Sequence, residues 1–254
     1  DQAPVTGLIE RTMTAAPLYD FTAPDRIRHT LWQVADPGGL QAAFQVVPSA
    51  YIADGHHRAA AASRVARERR VKSGQPPGTA EYDWVMAVLF PASQVKIMPY
   101  NRCVAELNGM KPAQFLARLE QDFNLRGGAS PTPSAMGHVS VFVDGGWHGI
   151  SWPSDPRGGA DALDVTILQE RILAPLLGIK DPRTDQRISF IGGIRGTAEL
   201  ERKVAGGSAA VAFSLFPTQV EQMMAIADQG GIMPPKSTWF EPKLRSGLFV
   251  HTLE

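Results

Sequence analysis

Tyr51-Ile52-Ala53-Asp54-Gly55-His56-His57-Arg58, running without a break into Ala59 to Lys72, is the stretch on which the reading of this chain turns. Tyr51-Ile52-Ala53 is a short apolar run stopped by Asp54-Gly55, which predicts a buried strand closed by a turn. From His56 the Ala- and Arg-rich sequence predicts a long helix to about Lys72. A helix start has N–H groups with no intrahelical partner, and the aligned peptide dipoles add about half a positive charge there. A phosphate satisfies both. Gly55 lets the backbone turn sharply and approach a ligand closely. Arg58 can grip phosphate oxygens through two parallel hydrogen bonds, and His56 and His57 add donors or an acid/base. Asp54 suits an N-cap, a role that competes with an anion; beside a bound nucleotide it would instead hold Mg²⁺ or orient a histidine. The same residues also fit a bare cap and turn with solvated charges. Adjacent histidines face different ways on a helix, which argues against a zinc pair, because ligand pairs sit a turn apart.

Working outward, the first stretch to about Gln33 reads as irregular apart from a strand over 27–34. Pro37-Gly38-Gly39 opens a short helix from Leu40 to about Val46. Downstream, Tyr82 to Phe90 is a continuous apolar run and predicts a central strand. Val95 to Val104 predicts a second strand, crossed by Pro99 and so at an edge or bulge. Phe115, Leu116 and Leu119 recur at helical spacing within a helix over 111–122. Asp144-Gly145-Gly146 predicts the turn of a hairpin over 138–152. Further helices are expected over 164–177, capped by Asp164 or Asp161, and over 197–204 and 218–228. Further strands are expected over 187–191, 209–215 and near 247–252. Strands and helices alternate without a strict βαβ rhythm, so the fold class is mixed α/β.

Of 254 residues, 44% are hydrophobic, and 25 basic side chains balance 25 acidic ones. That composition suits one large globular domain or two smaller ones. Zero net charge argues against a general nucleic-acid binder, and the Arg64-Arg67-Arg69-Arg70-Lys72 run reads as a solvated helix face. The single cysteine, Cys103, can form no internal disulfide, which suits a reducing cytoplasm. It reads as a buried hydrophobe, since no histidine neighbours it in sequence. No apolar run approaches the roughly 20 residues that span a bilayer, and no secretory signal is expected at the N-terminus.

Tyr51 to Arg58 resembles the signature stretch of the domain of unknown function 1015 family. Agreement extends upstream through His29-Thr30-Leu31-Trp32. Downstream it runs through Leu163-Asp164-Val165 with Leu168-Gln169-Glu170, then Phe190-Ile191-Gly192-Gly193. It ends with Met233-Pro234-Pro235-Lys236-Ser237-Thr238-Trp239-Phe240-Glu241-Pro242-Lys243, closed by Ser246-Gly247-Leu248. The Gly-His-His-Arg turn is also similar to the phosphate-binding turn of the ParB/sulfiredoxin-like superfamily. Members bind nucleotides there, and some are kinases of free serine. The resemblance implies a ParB/sulfiredoxin-like part over 1–104 and a mixed-sheet C-terminal α/β part over 105–254. It implies phosphate contacts from Gly55, His56, His57 and Arg58, ATP or ADP with Mg²⁺, and a cytoplasmic location. Family members usually carry a long N-terminal portion with its own acidic motif ahead of this region. This sequence lacks it; if a catalytic carboxylate lies there, the chain in hand binds without turning over.

Other motifs are weaker. Lys236-Ser237-Thr238 echoes the end of a P-loop, but the flanking prolines replace the glycines and helix that a P-loop needs. Lys236, Ser237, Thr238 and Lys243 either complete a ligand pocket or form an ordered tail strapped to the core. Gly192-Gly193-x-x-Gly196 reads mainly as a tight strand-to-helix turn. Asp164 and Glu170 lie on different helix faces and do not pair. His29 reads as packed near the core, and His138, His148 and His251 as structural or solvated.

The leading functional expectation is a nucleotide-dependent phosphotransferase acting on a small hydroxyl compound, serine being the analogy. Asp54, His56 and His57 are the catalytic candidates, and Asp54 the Mg²⁺ ligand. Two alternatives stay open: a nucleotide-responsive binding module without catalysis, and a metal-dependent hydrolase using the paired histidines.

Overall fold

An apolar run becomes a strand only where a neighbour completes its backbone hydrogen bonds, and that condition separates the two parts of this chain. The computed structural model describes residues 2–253. Two compact units are formed, one by Asp1–Val95 with Ser246–Glu254 and the other by Lys96–Arg245. The architecture is mixed α/β, as the alternation of elements implies.

The first unit contains α1 (Ala3–Thr12), β1 (Tyr19–Thr22), β2 (Arg28–Leu31), α2 (Pro37–Phe44) and α3 (His56–Ser73). Its start is therefore more regular than expected. β1 and β2 form an antiparallel hairpin, with Asp20 accepting from Arg28 across it. α2 begins at Pro37, where a proline's missing N–H costs nothing, and Asp36 caps it by accepting from Gly39 N–H at 2.9 Å. α3 starts where the turn predicted and stops at Gly74, in the left-handed region at φ 66°. Two expectations fail here. Neither Tyr51-Ile52-Ala53 nor Tyr82 to Phe90 is a strand: Tyr82 and Asp83 lie in a short 3₁₀ turn, and 84–90 is irregular. Ile52, Trp84, Val85, Met86, Val88, Leu89 and Phe90 are exposed. Both runs have the side chains of buried strands, but among the described residues no strand pairs with either.

The second unit contains β3 (Lys96–Met98), β4 (Tyr100–Val104), α4 (Pro112–Asp122), β5 (Arg126–Gly127), β6 (His138–Val143) and β7 (Gly146–Ser151). It continues through α5 (Asp164–Leu168), β8 (Ile188–Gly192), α6 (Ala198–Ala205), β9 (Val211–Leu215), α7 (Val220–Asp228) and β10 (Trp239–Glu241). The main sheet has the order β5-β7-β6-β9-β4-β8, and its paired strands are antiparallel. Pro99 breaks the expected 95–104 strand into two pieces serving different sheets: β3 pairs with β10, and β4 joins the main sheet. The 247–252 strand is not formed; β10 lies earlier in the tail.

Alternation along β6 builds the layers. Val139, Val141 and Val143 enter the large core with Phe115 and Leu119 of α4, Leu168 of α5 and Phe213 of β9. Phe142 points to the opposite face, against Cys103 and Leu200 of α6. Asp144 at φ 51° and Gly145 at φ 75° make the tight β6–β7 turn. The expected 164–177 helix is not uniform. After α5 the backbone widens into a π-helical turn over Gln169–Leu173, and Leu168, Ile172, Leu173 and Leu177 are all buried. Nor does Asp164 cap its own helix: it accepts from Gly137 N–H at 3.0 Å and Trp152 Nε1 at 2.8 Å, tying the hairpin to α5.

Candidate functional site

α3 begins on a glycine, and that choice shapes the candidate site. Gly55 is the N-cap at φ 89°, ψ 26°, a conformation that costs a residue with a Cβ about 1–2 kcal/mol. The cap residue therefore offers no side-chain acceptor, and the first turn holds no acidic residue. The first intrahelical bond runs from Ala59 N–H to Gly55 O at 2.9 Å. The N–H groups of His56, His57 and Arg58 precede it and have no partner within the helix.

The Arg58 side chain folds back over this turn. A methyl group on Gly55 would lie 3.0 Å from Arg58 Nη2 and 3.1 Å from Nε. Nη2 is 3.9 Å from Asp54 Oδ1, a loose ion pair with both side chains more than half exposed. His56 and His57 are exposed as well. The turn thus gathers a guanidinium, two imidazoles and a helix N-terminus, with Asp54 as the nearby carboxylate. That set can hold a phosphate.

Behind the turn, a groove of about 380 Å³ runs along α3, lined by Ala59, Ala62, Ser63 and Ala66 and by Trp84 and Val85. Small side chains keep its floor low. Its far end is fixed by Arg70, whose guanidinium donates to Asp83. Asp83 is almost wholly buried and also accepts from Gly78 N–H at 2.9 Å. The Arg70 guanidinium, aided by those backbone N–H groups, holds the Asp83 carboxyl below its usual range. Asp83 and Trp84 were not singled out as site residues from the sequence. The available signal was the run of basic residues on α3, one of which, Arg70, meets Asp83.

Lys236, Ser237, Thr238 and Lys243 belong to the second unit. Ser237 is buried, and its carbonyl accepts from Thr218 Oγ1 at 3.2 Å. Lys236 lies at φ 57°, its ammonium 5.5 Å from the Tyr100 ring centre. The Lys243 ammonium is 5.0 Å from that of Trp239. The segment is thus strapped to the unit by backbone bonds and aromatic contacts. Gly192 and Gly193 are packing glycines: a Cβ would meet Trp239 Cε3 at 2.5 Å on the first and Pro99 Cδ at 2.5 Å on the second. Cys103 is buried, and desolvation pushes its thiol up to about 11, far from a nucleophile's range. His29 lies beside Phe21, with ring centres 5.4 Å apart, and its buried Nε2 has no hydrogen-bond partner. His251 Nε2 lies 3.2 Å from Glu81 O. Among the described residues, no three His, Cys, Asp or Glu side chains converge on a possible metal position. No helix among them is long and apolar enough to cross a membrane.

A family model described as "Protein of unknown function (DUF1015)" matches residues 1–168. The chain belongs to the DUF1015 family. This family member matches no curated protein. Solved structures similar to it include a free serine kinase mutant in complex with ADP, at 14% identity and a TM-score of 0.39, covering 94% of this chain and 80% of that one. A free serine kinase in complex with AMP aligns at 13% identity and a TM-score of 0.36, over the same shares. A conserved hypothetical protein from Pyrococcus furiosus aligns at 14% identity and a TM-score of 0.40, covering 94% and 83%.

Proposed function

We propose that this DUF1015 protein binds ATP or ADP through its phosphates at the Gly55–Arg58 turn and transfers a phosphoryl group to a small hydroxyl compound such as serine. The observation that carries the reading is the Arg58 guanidinium folded over a glycine N-cap. An anion there meets backbone N–H groups, the positive end of the helix dipole and a bidentate donor together. The adjoining groove, with exposed Trp84 on its wall, supplies room for the rest of a nucleotide.

Phosphoryl transfer needs mostly positioning and charge neutralisation. The substrate hydroxyl oxygen forms a bond to the terminal phosphorus as the bond from that phosphorus to the bridging oxygen breaks. The hydroxyl proton passes to a base, and the nucleotide leaves one phosphate shorter. In this reading Arg58 and the first-turn N–H groups hold phosphate oxygens, and His56 or His57 takes the proton. Mg²⁺ typically takes one or two carboxylates plus phosphate oxygens and water. Asp54, exposed and beside the turn, fits as that carboxylate. When bound, the ion offsets phosphate charge.

The exposure of Asp54, His56, His57 and Arg58 favours a second reading, a binding module whose nucleotide changes its partners without chemistry. A carboxylate close to the substrate hydroxyl separates the two, because fast transfer needs a base there. Calorimetric titration of ATP, ADP and CTP, with and without Mg²⁺, into the chain and into Arg58→Ala tests the site. Saturable binding weakened about tenfold or more in the mutant is expected. Equal binding by both proteins would refute it. A phosphate-transfer assay on small hydroxyl compounds then separates kinase from module.

A further inference from the structure

Trp84-Val85-Met86-Ala87-Val88-Leu89-Phe90 has the composition of a strand and belongs to no sheet. Trp84 has extended backbone at φ -106°, ψ 152°, and no turn or bend interrupts 84–90. Among the described residues, the main chain of 85–90 makes no hydrogen bond to another main-chain group. Pro91, which has no N–H to offer, ends the run. Consecutive residues thus present donors and acceptors that a second strand would take up.

The side chains are as open as the backbone. Trp84 and Val85 are 60% and 61% exposed, Leu89 55% and Met86 50%. Val88 and Phe90 follow at 46% and 39%. Together they leave on the order of several hundred Å² of apolar surface, against about 300–600 Å² for the largest patch of a typical monomer. Each side of a stable interface buries about 800 Å², so the run supplies most of one such side. No charged residue lies within it, although charge is the usual guard of an open strand edge.

The order of the residues favours an identical partner. Outward from Ala87 the run reads the same in both directions: aliphatic Met86 and Val88, aliphatic Val85 and Leu89, aromatic Trp84 and Phe90. Two such runs, antiparallel and centred on Ala87, set Trp84 of each copy opposite Phe90 of the other. Aromatic cross-strand pairs stabilise a ladder, and the smallest side chain meets itself at the axis. Side chains alternate along a strand, so Trp84, Met86, Val88 and Phe90 of both copies share one face. A contact that uses the same surface on both copies closes on itself as a dimer.

We propose that a second copy of this chain docks on this run, the two 84–90 segments pairing as antiparallel strands about a two-fold axis at Ala87. The pairing does not depend on what the Gly55–Arg58 turn binds.

Light scattering after size exclusion, over a series of loading concentrations, counts the chains. The unaltered protein is expected to pass from one chain to two as concentration rises. Ala87→Lys sets two ammonium groups face to face across the axis and should weaken association about tenfold or more. Ala87 is exposed, so the change spares the core. Val71→Lys adds the same charge elsewhere on the first unit, at a position 82% exposed, and should leave association unchanged. Cross-linking reads the register. Cys103 is buried, so with diamide as oxidant Ala87→Cys should join two chains by a disulfide. Phe90→Cys should not, because six residues at about 3.4 Å each hold it roughly 20 Å from its symmetry mate. A protein that stays single at every concentration, that grows beyond two chains, or whose association is undiminished in Ala87→Lys would overturn the proposal. Equal cross-linking of Ala87→Cys and Phe90→Cys would overturn it as well.

Discussion

Gly55 joins two requirements that usually sit apart: a left-handed backbone and an open space for a neighbour's side chain. Alanine there meets both the conformational cost and the Arg58 guanidinium. Gly55→Ala is expected to destabilise the first unit by about 1–2 kcal/mol, measured by urea denaturation, and to weaken nucleotide binding. Arg58→Ala should weaken binding while leaving stability within about 0.5 kcal/mol, as exposed surface changes do. Asp83 behaves differently because it is buried. Its carboxyl is held below the ordinary 3.8, so the folded state favours the ionised form. The resulting stabilisation is complete above the unfolded value and drains away as pH falls through the lower folded value. Thermal melts of wild type and Asp83→Asn should therefore differ at pH 7 and converge as pH drops below about 4. A difference that persists undiminished at low pH would assign Asp83 a role in shape rather than charge.

Elements differ in how much of their structure their own residues dictate. α3 was legible because its punctuation is local: Gly55 opens it, Gly74 closes it, and the residues between favour helix. The β6–β7 hairpin was legible for the same reason, through Asp144-Gly145. The 82–90 run was not, because an apolar sequence specifies burial only when a partner supplies the second half of the ladder. Asp164 misled at its helix start because its bonds reach Gly137 and Trp152, residues remote in sequence. Gly192 looked like turn chemistry but serves packing, and its prediction belongs here. Gly192→Ala places a methyl 2.5 Å from the Trp239 ring and should cost about 1–3 kcal/mol through overpacking. Chemical denaturation followed by tryptophan fluorescence reads it. An unchanged midpoint would mean that the β10 segment yields without cost.

At the scale of the whole molecule, balanced charge hides local imbalance. The chain sums to zero, yet α3 concentrates arginine behind its first turn. The turn could be read in advance because its members are consecutive in sequence. Asp83 and Trp84 could not, since a loop must form before they meet their neighbours. The central claim is that a nucleotide phosphate sits on the N-terminal turn of α3. The most direct test follows the backbone amide resonances of ¹⁵N-labelled protein as ADP is added. The account predicts that the His56, His57 and Arg58 amides move most and saturate together with binding. Saturable ADP binding that leaves those three amides unmoved would contradict it.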